Sequence, residues 1–249
     1  MKLTLVTFIM TLLFLVSCSS DAPTGKTEAE VLYNEAQDLM KAERYILATE
    51  KLNIIKTQHP YSFYATPAEL MQADILFNQE NFIESAAAYL LFRDFHPRHE
   101  KIPYVVFRIG ESYYKQIPDT IDRDLEPGME AIKYLDEILQ KYGDSSYRPD
   151  AEAKITQIKG MLREKDVYIA DFYFKTKEYS AARYWYLDIL ENHQDENLRS
   201  KAMVRTIKSS SNLKEWDACI DYVEKFYQSI DKEGQKEIKS IKEHCQKKN

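Results

Sequence analysis

A few side chains in this sequence have the types and spacing that catalysis or metal binding would need. His96 and His99 lie three residues apart and could ligate a metal ion together with Glu100. However, His96 occupies the same position before a helix-ending proline as His59 does, which favours a structural role. Arg123 and the acids around it could form a catalytic cluster, although charged loops are more often solvated. The chain also lacks a glycine-rich phosphate loop, a His-Glu-x-x-His zinc motif and a Gly-x-Ser-x-Gly nucleophile motif, so we predict no enzyme and no metal site.

A different chemistry is indicated at Cys18. Lys2 precedes an apolar run from Leu3 to Val16, which is shorter than the roughly 20 residues needed to span a bilayer and therefore predicts an export signal. The sequence Leu15-Val16-Ser17-Cys18 resembles the lipobox of bacterial lipoproteins. This resemblance implies a signal peptide at residues 1–17, a covalent lipid such as palmitate on Cys18, and no other cofactor. An ordinary signal peptide that happens to contain a cysteine is the alternative.

Composition narrows the range of partners. The chain has 34 basic and 40 acidic residues, a net charge of −6 and no block of Lys or Arg, so nucleic acid is not expected as a partner. Besides Cys18 there are only Cys219 and Cys245, too few for a disulfide framework. We favour Cys219 as a small core residue and Cys245 as part of a solvated tail. A bond between them stays open, because an exported protein can form disulfides.

The elements that position these residues are expected to be helices almost throughout. Six Gly, eight Pro and no alternating apolar runs predict an all-α protein. The pattern from Arg44 to Pro60 returns 37 residues later, from Asn81 to Pro97. An aromatic residue followed three positions later by a small one returns at Tyr179 and Trp216, and Gly128 begins a fifth copy. Each copy follows another amphipathic segment, so the sequence predicts a superhelical array of five tetratricopeptide-like helix pairs with a concave groove.

The repeats also predict how the chain is divided. Residues 18–26 have the composition of a flexible tether, and Thr27 begins a capping-box pattern that starts the first helix. The array is expected at 27–231, with a front half at 27–145 and a rear half at 146–231. One long helix is predicted at 150–175 and a loop at 116–127. Residues 232–249, rich in Lys and Glu, predict a last short helix with a frayed end.

Tyrosine is abundant, with 18 residues. Most of them are expected in the core. The first helices of such pairs line the concave face, however, and tyrosine combines a rigid ring with a polar tip. We therefore expect some of these tyrosines to bind peptide.

Several linked motifs point to one family. They are Leu32-Tyr33-x-x-Ala36 with Tyr45-x-x-Ala48-x-x-x-Leu52, Pro97-x-His99 before Tyr104, the Asp122-Arg123-Asp124 loop, and the segments at 142–151 and 169–173. Together, behind a lipobox, they resemble the BamD family of tetratricopeptide lipoproteins, part of the outer-membrane β-barrel assembly (BAM) complex. Gly143 departs from the family's usual proline, and residues 198–230 match only in outline.

The resemblance implies a non-catalytic protein that is lipid-anchored on the periplasmic face of the outer membrane and assists protein insertion there. Its rear half would bind periplasmic domains of the barrel-forming subunit, and its front groove would receive unfolded outer-membrane proteins. The residues predicted for the client groove are Tyr33, Tyr64, Tyr104 and Arg108. The residues predicted for the partner subunit are Arg183, Tyr184 and Trp185. Some relatives carry an arginine at the position of Trp185, so this contact would be rebuilt here.

Two other functions remain as alternatives. The first is a pilotin-like tetratricopeptide lipoprotein that escorts a secretin, for which residues 116–175 would not be needed. The second, from a different class, is a periplasmic hydrolase or metal protein that uses His96 and His99.

Overall fold

The computed structural model describes residues 27–248, and every regular element in that range is a helix. The eleven helices of the described residues are α1 Glu28–Lys41, α2 Tyr45–Gln58, α3 Ala65–Asn78, α4 Phe82–Phe95, α5 Ile102–Tyr114, α6 Glu126–Lys141, α7 Arg148–Lys175, α8 Tyr179–Asn192, α9 Glu196–Asn212, α10 Trp216–Phe226 and α11 Lys232–Lys248. The all-α prediction is therefore confirmed. The predicted signal peptide, the lipidated Cys18 and the tether at 18–26 lie outside the described residues.

The same turn follows α1, α3, α7 and α9, and it makes the repeat visible in the backbone. A residue with positive φ ends each helix, at Glu43 (57°), Glu80 (62°), Lys177 (65°) and Lys214 (61°). After α1, the Glu43 N–H donates to the Met40 carbonyl at 3.0 Å and the Arg44 N–H donates to the Leu39 carbonyl at 2.8 Å. This pairing satisfies carbonyls that the helix end leaves without partners. Each turn thus stops one helix and starts the next within a few residues.

The first of two compact units covers residues 27–81 and contains α1, α2 and α3. Thr27 Oγ1 accepts a hydrogen bond from the Glu30 N–H at 3.2 Å, so the predicted helix start is confirmed. Ala48, Leu52 and Ile55 are fully buried in the core, as the repeat pattern predicted. The methyl group of Ala48 allows close helix approach, while the two larger side chains fill the space against α3.

The second unit begins at Phe82 and contains α4 to α11. The hydroxyl groups of Ser85 on α4 and Ser112 on α5 share a buried hydrogen bond of 2.7 Å. Gly110 lets α5 approach α6, because an added Cβ would lie only 2.8 Å from a Leu135 side-chain carbon. The predicted long helix is present as α7, with 28 residues. The sequence suggested a division between a front and a rear half after residue 145. In the structure α7 packs against both α6 and α8, so the second unit continues past that residue.

The C-terminal segment differs from its prediction. Instead of a short, frayed helix, α11 has 17 residues and packs against α9 and α10. Cys245 is fully buried and bonded to Cys219 on α10, so its interpretation as part of a solvated tail is wrong. Ile238 and Cys245 lie on one apolar side of α11. The Lys and Glu residues on the other sides made the segment look like a tail.

No helix within residues 27–248 combines the length and the apolar character needed to cross a membrane.

Candidate functional site

Two of the four residues predicted for the client groove meet in the first unit. Tyr33 on α1 and Tyr64 at the start of α3 have ring centroids 5.3 Å apart, with the rings tilted by 39°. Phe63 contacts Tyr64 edge to face at 5.5 Å. Both tyrosines are partly exposed, and burial raises the pKa of Tyr33, so its hydroxyl stays protonated. The pair therefore offers ring surface together with hydroxyl groups that can form hydrogen bonds.

The other two predicted residues meet in the second unit, around Arg108 of α5. Its Nε donates to the Tyr89 hydroxyl at 3.1 Å, and its Nη1 donates to Glu111 Oε2 at 2.9 Å. The guanidinium carbon lies 5.8 Å and 5.9 Å from the ring centroids of Tyr89 and Tyr104. Burial opposes the charge of Arg108, but the tyrosine and glutamate neighbours outweigh it and raise the pKa. The cation therefore lies against the rings of Tyr89 and Tyr104 and the carboxylate of Glu111.

Further aromatic residues extend this group towards α7. Tyr147 stacks on Phe107 at 5.0 Å and contacts Tyr104 at 5.9 Å. Lys154 on α7 lies 5.5 Å from the Phe107 ring centroid and 3.5 Å from Glu111 Oε1. We call the set Tyr89, Tyr104, Phe107, Arg108, Glu111, Tyr147 and Lys154 the Arg108 cluster. Sequence reasoning found Tyr104 and Arg108 but missed Lys154, which is 46 residues from Arg108 in sequence.

The three residues predicted for the partner subunit are consecutive on α8 but have different surroundings. Arg183 Nη1 donates to Ser210 Oγ at 3.0 Å and forms an ion pair with Glu215, so it connects α8 to α9 and to the turn before α10. Trp185 is partly buried against the core of α7, α8 and α9. Tyr184 is 66% exposed and meets Trp185 edge to face at 5.8 Å. Of the three, Tyr184 presents the most surface to a partner.

A partly buried polar network near these residues was not foreseen from the sequence. The Tyr186 hydroxyl donates to Asp171 Oδ1 at 2.6 Å, and Lys201 Nζ donates to Asp171 Oδ2 at 2.7 Å. Burial opposes the charge of Asp171, but these two hydrogen bonds outweigh it and lower its pKa. Burial and the carboxylate raise the pKa of Tyr186. The network joins α7, α8 and α9 through residues that no local motif connects.

The residues considered for catalysis or metal binding have structural surroundings. His96 and His99 both pack against Phe92, with ring centroids at 4.8 Å and 5.3 Å. In the loop before α6, Asp124 Oδ1 accepts the Glu126 N–H at 3.0 Å, and the Arg123 carbonyl accepts Lys165 Nζ at 2.5 Å. Within residues 27–248 no three His, Cys, Asp or Glu side chains converge as a metal site would require.

Comparison with known proteins decides the family. The model of the YfiO family, described as an outer membrane lipoprotein, matches residues 26–225. The chain belongs to this family. The YfiO match includes both aromatic groups and the α8 residues described above, whereas α11 lies beyond it.

Curated relatives of this YfiO chain are similar over most of its length. An outer membrane protein assembly factor BamD of Vibrio cholerae is 25% identical over 233 residues, which cover 88% of this chain and 95% of that protein. The BamD of Rickettsia prowazekii is 28% identical over 213 residues, 84% of each chain. Among solved structures, the TPR2AB-domain:pHSP90-complex of yeast Sti1 is similar with a TM-score of 0.44 and 15% identity, covering 82% of this chain and 78% of that one. That structural similarity is too low to support a conclusion.

Proposed function

We propose that this chain is a lipid-anchored, non-catalytic subunit of the machinery that assembles β-barrel proteins in the outer membrane. The observation that carries the proposal is the YfiO match over residues 26–225. In addition, two relatives named as outer membrane protein assembly factors match this chain over 95% and 84% of their own length. In this role the chain lies on the periplasmic face, binds the barrel-forming subunit and receives unfolded outer-membrane proteins.

The Arg108 cluster is the proposed contact for the C-terminal end of a client. Arg108 and Lys154 place two cationic groups beside the rings of the cluster, and cationic groups form charge-assisted hydrogen bonds to carboxylates such as the end of a peptide. The partly exposed rings of Tyr104 and Tyr147 offer faces on which an aromatic side chain can pack. This combination suits an extended peptide that ends in an aromatic residue.

The Tyr33–Tyr64 pair is proposed as a separate client contact within the first unit. Its two partly exposed rings offer apolar area at little cost in side-chain entropy, and their hydroxyl groups can bond to an extended peptide backbone. This contact relies on ring surface and hydroxyl groups, which are not specific to one client sequence.

The partner-subunit contact is proposed at Tyr184, with Arg183 and Trp185 holding its helix in place. Tyr184 combines high exposure with a neighbouring tryptophan that restricts its ring, which is typical of residues that contribute strongly to interfaces. Arg183 acts through its bonds to Ser210 and Glu215, since these fix α8 against the next repeat.

Affinity capture tests the proposal. A C-terminally tagged chain, purified from detergent-solubilised membranes, should bring down the large barrel-forming subunit. The variant Tyr184→Ala should recover less of it, while Tyr168→Ala, which removes another exposed tyrosine, should recover the normal amount. Absence of the barrel subunit contradicts the proposed function, and recovery of a secretin instead favours a pilotin-like role.

The lipid anchor is tested separately. Cys18→Ala should yield a protein that is soluble or keeps its signal peptide, because the acyl chains are what hold the mature chain to the membrane. Stable binding requires more than one acyl chain, since a single chain binds only marginally. If Cys18→Ala still fractionates unchanged with the outer membrane, the anchor lies elsewhere.

A further inference from the structure

The loop between α2 and α3 exposes two large aromatic side chains. Tyr61 is 101% exposed and Phe63 is 85% exposed, the highest values for large apolar side chains within residues 27–248. The stretch from Pro60 to Ala68 contains no charged residue. Isolated exposed apolar residues are common, but two exposed rings only two positions apart in an uncharged loop give that loop an apolar character.

The backbone of the loop does not require these aromatic residues. The Ser62 N–H donates to the His59 carbonyl at 3.0 Å, and the Ala65 N–H donates to the Ser62 carbonyl at 3.1 Å. The same pair of bonds recurs in the loop before α5, centred on His99, and in the loop before α7, centred on Ser145. The three loops therefore share one turn and can be compared position by position.

At the equivalent exposed positions the other two loops are polar. The positions of Tyr61 and Phe63 correspond to Arg98 and Glu100 in the second loop and to Asp144 and Ser146 in the third, all of them exposed. Charged and small polar residues are what solvated turns usually carry. The aromatic residues are thus a property of the first loop, so their reason must lie in the surroundings of that loop.

That loop lies at the end of the first unit where the chain enters α1. His59 Nε2 and Glu28 Oε2 are 3.5 Å apart, which puts the end of α2 beside the first turn of α1. Thr27 follows Cys18 by only nine positions in the sequence. Nine residues span at most about 30 Å, even when the chain is fully extended. A lipid on Cys18 therefore keeps the loop within reach of the bilayer.

We propose that Tyr61 and Phe63 contact the interfacial region of the membrane that carries the lipid anchor. The proposal rests on the proposed lipidation of Cys18 and adds a protein contact to it. Aromatic rings are favoured at the level of the lipid headgroups, where an apolar ring and a polar tip both find suitable surroundings. Glu28 and Glu30 in the adjacent first turn would not attract anionic lipids, so the contact is apolar and should depend little on salt.

Fluorescence quenching in vesicles tests this contact. The acylated full-length chain with Tyr61→Trp is inserted into vesicles of phosphatidylethanolamine and phosphatidylglycerol, with or without bromine on the acyl chains. The emission of the native Trp185 and Trp216 is measured on the unsubstituted chain and subtracted from that of the variant. We expect the added emission to shift to shorter wavelength and to lose roughly half its intensity with brominated lipid, in both low and high salt.

Ile46→Trp is the matched control. Ile46 is also exposed, at 74%, but lies in the first turn of α2, about 18 Å along the helix from the loop. We expect its added emission to be unaffected by bromine. Equal quenching at both positions contradicts the proposal, because the whole unit would then lie in the membrane.

Flotation and vesicle transfer separate the possible failures. A chain that does not float with vesicles contradicts the anchor and the loop contact together, whereas a floating chain with unquenched Tyr61→Trp contradicts the loop contact alone. The double variant Tyr61→Ser with Phe63→Ser should fold normally, since both side chains are exposed, and should transfer between vesicles severalfold faster than Ile46→Ser. Equal transfer rates would also overturn the proposal.

Discussion

The first unit and the helices from α7 to α11 differ in what lies at their surfaces and in how their polar side chains are paired. In the first unit, aromatic side chains lie at the surface, as the partly exposed Tyr33–Tyr64 pair and the exposed Tyr61 and Phe63. From α7 onwards, polar side chains mostly bond to each other: Arg183 to Glu215, Asp171 to Tyr186 and Lys201, and Lys208 to Glu237. A disulfide adds a covalent link at the end of this region.

This difference separates contact surfaces from structural connections. Exposed rings leave their contact area available to a ligand, whereas a cation that is paired within the fold has fewer free donors to offer. The first unit is therefore suited to binding, and the helices from α7 onwards to holding a fixed arrangement of repeats. This region also has exposed aromatic side chains, at Tyr168, Phe172 and Tyr184, and Tyr184 is the most exposed of the three. We therefore keep it as the candidate there for contact with a partner.

The largest expected effect comes from removing the disulfide. The variant Cys219→Ser with Cys245→Ser should lower the free energy of unfolding by about 3 kcal/mol, because the bond closes a segment of 26 residues. Urea denaturation measures the change. Reductant should have a similar effect on the unsubstituted chain and none on the variant. An unchanged midpoint would mean that helix packing alone holds α11.

The proposed client contact in the first unit can be tested with a peptide. Tyr33→Leu keeps apolar volume but removes the ring that packs on Tyr64, and it should weaken binding of an extended, aromatic-ended peptide by about 1–2 kcal/mol. Fluorescence anisotropy with a labelled peptide measures the affinity. Tyr168→Ala, on α7, should bind the peptide normally. Equal loss in both variants would erase the distinction between the two regions.

The structural role of Arg183 predicts a smaller effect on stability. Arg183→Ala should lower the free energy of unfolding by about 1 kcal/mol, a value reduced by solvent because Glu215 is partly exposed. A double-mutant cycle with Glu215→Gln should show that the two losses are not additive. Additive losses would indicate that the ion pair contributes nothing, and Arg183 would again be available for a partner.

The Asp171 network predicts that the stability of the fold decreases in acid, and this should be the smallest of these effects. Its pKa in the folded chain is below the ordinary value, so its contribution to stability is complete at neutral pH and is lost as the pH falls through about 4 and below. Asp171→Asn should be less stable at pH 7 and should lose part of the decline seen in acid. Urea midpoints across this range measure it, with the exposed Asp217→Asn as the control. Identical pH profiles for Asp171→Asn and the unsubstituted chain would contradict it.

Most of the fold could be predicted from the sequence, because it repeats at a fixed interval. The matched positions around Ala48 and Ser85 are buried, and the long pattern at 150–175 is one helix. Each of these features depends on residues close together in sequence or on the period itself, and both can be observed without a structure.

The sites could be predicted only in part, because their partners are distant in sequence. Arg183 resembles a free surface cation until Glu215, 32 residues later, is seen beside it. Cys245 lies in a Lys- and Glu-rich segment whose apolar side emerges only when it packs on α9 and α10. The exposure of Tyr61 and Phe63 was not predicted, because both lie in a loop where no helical period indicates which side chains face the core.

The central claim is that this chain serves the assembly of outer-membrane β-barrels, and depletion tests it most directly. The gene for this chain is placed under a repressible promoter in its native host. The amount of folded β-barrel protein in the outer membrane is then followed after repression. The account predicts that folded barrels decline and unfolded ones accumulate in the periplasm, while other outer-membrane lipoproteins keep their levels. An unchanged content of folded barrels after complete depletion would contradict it.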